Sequence, residues 1–80
     1  MNFTTWLNAL ISEKNIDIEQ TLQVEGESGT NWIPVECVLE AIKSTSKAEQ
    51  QGIKKTLVAI DFRNGDVLHF IKHLAQAVAQ

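Results

Sequence analysis

Phe3, Trp6, Leu7, Leu10 and Ile11 recur at helical spacing, with Thr5, Asn8 and Ser12 opposite them. This pattern predicts a first helix from about Phe3 to Lys14, with Asn2 placed to accept a bond from the first turn. The period then changes. Asp17 to Gln20 is compatible with a helical turn, Leu22-Gln23-Val24 alternates as a strand does, and Gly26-Glu27-Ser28-Gly29 is turn chemistry. Asn31-Trp32-Ile33 can return as a second strand. Residues 20–33 are therefore expected to form an ordered loop or a short β-hairpin. Two strands alone are marginal in water, so the insert must lie on helices. Trp32, with its large apolar face, is the expected anchor.

Pro34 suits the first position of a second helix, where its missing N–H costs nothing. Val35, Val38, Leu39 and Ile42 form the apolar stripe of that helix, which runs to about Ser44. Ser46 and Glu49 have capping-box spacing and open a third helix with Ile53, Leu57 and Ile60 as its stripe. Gly52 inside it costs about 1 kcal/mol relative to alanine, so another backbone is expected to come close there. Residues 54–72 can be read as a hairpin turning at Asn64-Gly65, or as helix, turn, helix with Asp66 capping a fourth helix. The second reading is preferred. Val67, Phe70, Ile71, Leu74 and Val78 fall on one side and His69, Lys72, His73 and Gln76 on the other, with no sustained strand alternation.

The expected fold is all-α in the main, a compact four-helix single domain spanning 1–80. An apolar fraction of 44% is ordinary for a folded chain. Cys37 is the only cysteine, which rules out an internal disulfide and fits a reducing, cytoplasmic setting. The first residues lack signal-peptide character, and no segment approaches the ~20 apolar residues of a membrane span. The net charge of -3 gives no general pull toward nucleic acid or anionic lipid. The charges are unevenly spread: seven acids and one base lie between Glu13 and Glu40, against six bases and three acids from Ala41 onward.

Candidate chemistry is sparse. Asp66, His69 and His73 could share a helix face, and two imidazoles one turn apart can ligate a metal with a carboxylate as third ligand. The histidines oppose the apolar stripe, however, so a capping aspartate and two surface histidines are the preferred reading, and no metal or cofactor is expected. Cys37 could be activated at a helix start, but Glu36 and Glu40 oppose a thiolate, and a buried or half-buried structural cysteine is expected. The segment Gly26–Gly29 lacks the lysine and spacing of a phosphate loop.

No catalytic set emerges, so the chain is not expected to be an enzyme, and no small-molecule substrate is evident. What remains is a small domain with a broad apolar helix face and an uneven charge distribution, so the expected function is a small intracellular protein–protein interaction module that self-associates. Its expected interface is Trp32, Val67, Phe70, Ile71, Leu74 and Val78. Two alternatives stand beside it. One is a DNA-binding regulator using Lys47, Lys54 and Lys55 after the short Thr45-Ser46 connection, although only Gln50 and Gln51 suit base reading. The other is an acidic decoy for a nucleic-acid-binding protein, acting through acids such as Glu25 and Glu27.

Overall fold

The computed structural model describes residues 2–78, and the side chains of 2–77. The order of elements is α1 (Phe3–Glu13), β1 (Thr21–Gly26), β2 (Gly29–Pro34), α2 (Val35–Lys43), α3 (Lys47–Phe62) and α4 (Val67–Val78). Among the described residues the fold is mainly helical, with four helices as the periodicity predicts. The all-α description is corrected by the hairpin, whose strands of six residues each pair antiparallel from Thr21↔Pro34 to Gly26↔Gly29. Residues 54–72 are helix, turn, helix rather than a second hairpin.

The hairpin is a built part of the core. Leu22 and Val24 alternate inward along β1, which packs on α4, while β2 packs on α2. Side chains paired across an antiparallel ladder share a face. Ile33 pairs with Leu22, and Trp32 pairs with exposed Gln23. Trp32 therefore points outward and is 65% exposed, which corrects the expectation that it anchors the insert. Ile33 packs against the core instead, because neighbouring residues of a strand cannot both face in. The chain reverses through Glu27 and Ser28, and Gly29 takes φ 118°, a conformation an L side chain rarely adopts.

Pro34 is the last residue of β2 and the N-cap of α2, one position earlier than expected, and Val35 opens the helix. No side chain caps α2. The Val35 and Glu36 N–H groups instead donate to the Gln20 and Ile18 carbonyls at 2.9 and 3.0 Å. Backbone of the preceding loop thus satisfies donors that a helix start leaves open.

Helices α1 and α3 end alike. Asn15 and Asn64 adopt positive φ, 55° and 57°, just past each helix. The next residue's N–H reaches back to the carbonyl five positions earlier, Ile16 to Ile11 at 3.1 Å and Gly65 to Ile60 at 2.8 Å. This is the Schellman arrangement, with asparagine in the left-handed position. Gly65 is needed for a different reason: a Cβ there would sit 2.9 Å from Ile60 Cγ2 and 3.2 Å from its carbonyl oxygen.

The buried residues form one cluster drawn from every helix and from β1. Leu7, Val24, Val35, Val38, Leu57 and Ile71 are its largest fully enclosed members. No polar or charged side chain is buried among the described residues.

Candidate protein interaction surface

Helix α3 is fixed at both ends. The Ser46 hydroxyl oxygen accepts from the Glu49 N–H at 3.2 Å, and the hydroxyl donates to the Glu49 carboxylate at 3.3 Å. The capping-box residues thus meet, though the carboxylate engages the hydroxyl rather than the cap's own N–H. The Gln50 side-chain amide donates to the Lys43 and Thr45 carbonyls, both at 3.1 Å, which ties the start of α3 to the end of α2. The Asn64-Gly65 turn closes the other end.

Between these fixed ends α3 buries little. Leu57 is its one fully buried side chain, and Ile53 and Ile60 are half-buried beside it. At about 100° per residue, Lys47, Gln51, Lys55, Val58 and Phe62 fall on the opposite side, and all are exposed. Phe62 is 88% exposed, and Val58, one turn earlier, is 50% exposed. The acids of α3 lie outside this arc: Glu49 is engaged with Ser46, and Asp61 forms an ion pair with Lys14. That pair raises the Lys14 pKa above its ordinary 10.5, chiefly through the hydrogen bond to Asp61, against an opposing desolvation.

Two depressions lie along α3. One of about 270 Å³ lies between α1 and α3, lined by Trp6, Ala9, Leu10, Glu13, Leu57, Val58 and Asp61. Trp6 is half-buried there, with the Lys54 ammonium 5.3 Å from its ring centroid and Phe3 tilted against it at 6.0 Å. The other, about 420 Å³, is lined by Lys55, Thr56, Ala59, Ile60, Arg63 and Gly65. Its lining combines apolar Ala59 and Ile60 with cationic Lys55 and Arg63.

A second exposed aromatic face lies on the hairpin. The register puts Gln23, Glu25, Thr30 and Trp32 on its outer side. Thr30 Oγ1 donates to the Glu25 carboxylate at 3.1 Å, and Glu27 is exposed in the adjoining turn.

Some of the residues singled out by pattern fall as expected and others do not. Val67 and Ile71 are buried in the chain's own core, at 4% and 0% exposure, and leave the interface set. Phe70 and Leu74 are half-buried on the flank of α4, and the Val78 side chain lies outside the described residues. Asp66 Oδ1 accepts from the His69 N–H at 3.2 Å, so Asp66 caps α4. His73 stacks on Phe70 with ring centroids 6.3 Å apart, and His69, Lys72, His73 and Gln76 line a shallow depression. Among the described residues no group of three or more His, Cys, Asp or Glu side chains is placed to hold a metal ion. Cys37 is exposed, which corrects the buried reading: Val35, Val38 and Leu39 point α2 inward, and Cys37 falls with Glu36 and Glu40 on its outer side. Lys47 and Lys55 share the exposed side of α3, whereas Lys54 turns toward Trp6.

Phe62 and Val58 were missed by the sequence reading. Their signal was present, since both fall outside the Ile53–Leu57–Ile60 stripe of a helix that already had an apolar face. No described helix is long and apolar enough to cross a membrane. Comparison with protein-family models, curated proteins and solved structures finds no match to the chain.

Proposed function

We propose that the protein is a small cytoplasmic protein–protein interaction module that self-associates through the outer side of α3. The observation that carries this reading is Phe62, 88% exposed and one turn from half-exposed Val58 on a helix whose core face is already occupied by Leu57. Aromatic rings in apolar patches rimmed by charge are the usual anchors of protein interfaces. Lys47, Gln51 and Lys55 continue the same side and form its polar rim.

Molar mass by light scattering across a range of concentration tests it. The expected result is a rise from 8.9 kDa to a multiple of it as concentration increases. Phe62→Ser is expected to hold the chain as a monomer while leaving the melting temperature of the dilute, monomeric chain unchanged. A wild-type chain that stays monomeric throughout would overturn the reading.

Duplex DNA is the second reading, favoured by Lys47, Gln51 and Lys55 standing on one exposed side of a helix that follows a short connection. It predicts salt-dependent duplex binding that Lys47→Glu with Lys55→Glu abolishes. Binding indifferent to those reversals, or none at low salt, rejects it.

A further inference from the structure

Building on self-association, we propose that the contact is asymmetric: the outer face of the hairpin of one copy seats on the outer side of α3 of a second copy. Each surface offers one large exposed ring, Trp32 at 65% and Phe62 at 88%. Their charges are opposite. The hairpin carries Glu25 on the Trp32 face and Glu27 in its turn. Helix α3 carries Lys47 and Lys55 on the Phe62 side with Arg63 close by, and its two acids face elsewhere.

A contact of α3 with α3 gathers lysines, and a contact of hairpin with hairpin gathers glutamates. Like charges brought together across an interface cost affinity. The mixed contact covers both rings and pairs opposite signs. The depression of about 420 Å³ lined by Lys55, Thr56, Ala59, Ile60, Arg63 and Gly65 lies on the same helix and is large enough to take an indole. Lys55 and Arg63 in its lining can lie over the ring face. Every copy carries both halves, so the contact either closes reciprocally in a dimer or propagates from copy to copy.

The test mixes two surface variants, Trp32→Ala and Phe62→Ser, each first checked for a wild-type circular dichroism spectrum and melt at a dilution where the wild type is monomeric. Each alone is expected to be monomeric at concentrations where the wild type associates. Mixed in equal amounts they form a 1:1 heterodimer, since one keeps an intact α3 and the other an intact hairpin. Either variant associating alone like the wild type, or a mixture that stays monomeric, overturns the asymmetric contact while self-association stands. A wild type that is monomeric throughout removes both. Charge reversal gives an independent arm if either variant misfolds. Glu25→Lys with Glu27→Lys should weaken association about tenfold or more, and a partner bearing Lys47→Glu with Lys55→Glu should restore it. No weakening, or no restoration, again overturns the asymmetric contact.

Discussion

Helix α4 turns Val67, Ile71 and Ala75 into the core, whereas α3, four residues longer, fully buries only Leu57 and leaves Val58 and Phe62 at the surface. The two helices are joined by only four residues, so the difference is not one of neighbourhood. Helix α4 is held mainly by what it buries. Helix α3 is held largely by its ends: the Ser46 cap, the Gln50 bonds to the preceding connection and the Asn64-Gly65 closure. A helix stabilised at its termini leaves its middle free to carry residues that serve a partner rather than the core.

Truncation separates the two most sharply. Ile71→Ala removes a fully buried side chain and should cost about 2–5 kcal/mol in urea unfolding. Phe62→Ala, on the exposed side of α3, should stay within about 0.5 kcal/mol for the monomer. Equal losses would break the comparison. The next largest effect probes the closure of α3. Gly65→Ala forces a methyl against Ile60 and should cost about 1–3 kcal/mol; a wild-type melt would mean that the end of α3 shifts freely.

Gly52→Ala should act in the other direction. A Cβ at Gly52 meets nothing within 4 Å, so the substitution should add about 0.5–1 kcal/mol of stability. A loss would show that the middle of α3 is more constrained than its open surroundings imply. The smallest effect belongs to the Lys14–Asp61 pair between α1 and α3. Since folding raises the Lys14 pKa, its contribution is present below pH 10.5 and is lost as pH rises through the higher folded value. Both side chains are more than a third exposed, so the contribution is small and screened by salt. Lys14→Gln should flatten the alkaline limb of the stability profile slightly; an unchanged limb would remove the pair from the account.

The helices were legible because their apolar periodicity and capping residues agree. Asn2, Ser46 and Asp66 each accept from a first-turn N–H as their positions implied. The hairpin's existence was legible in Leu22-Gln23-Val24 and the glycine-flanked turn, but its orientation was not. Ile33 and Trp32 are adjacent and both apolar, and only the cross-strand register decides which faces in. Gly52 misled because its helical cost suggested a packing reason that open space around it does not supply. Cys37 misled because thiols are usually enclosed, while its angular position beside Glu36 and Glu40 was the better guide. The proposed interaction surface was least legible. A long apolar arc on α4 drew the interface there, yet most of that arc meets β1, α2 and α3.

The donation of the Val35 and Glu36 amides to the Gln20 and Ile18 carbonyls has a consequence for cooperativity. At nine residues α2 is too short to persist alone, since isolated helices shorter than about 12–15 residues are marginal in water. Its first turn is closed only when the loop before β1 is in place, and that loop is placed by the hairpin that also runs directly into α2. Hydrogen exchange should therefore find the amides of residues 22–24, 33 and 35–36 opening together, as one unit with one free energy, rather than fraying from the helix end inward.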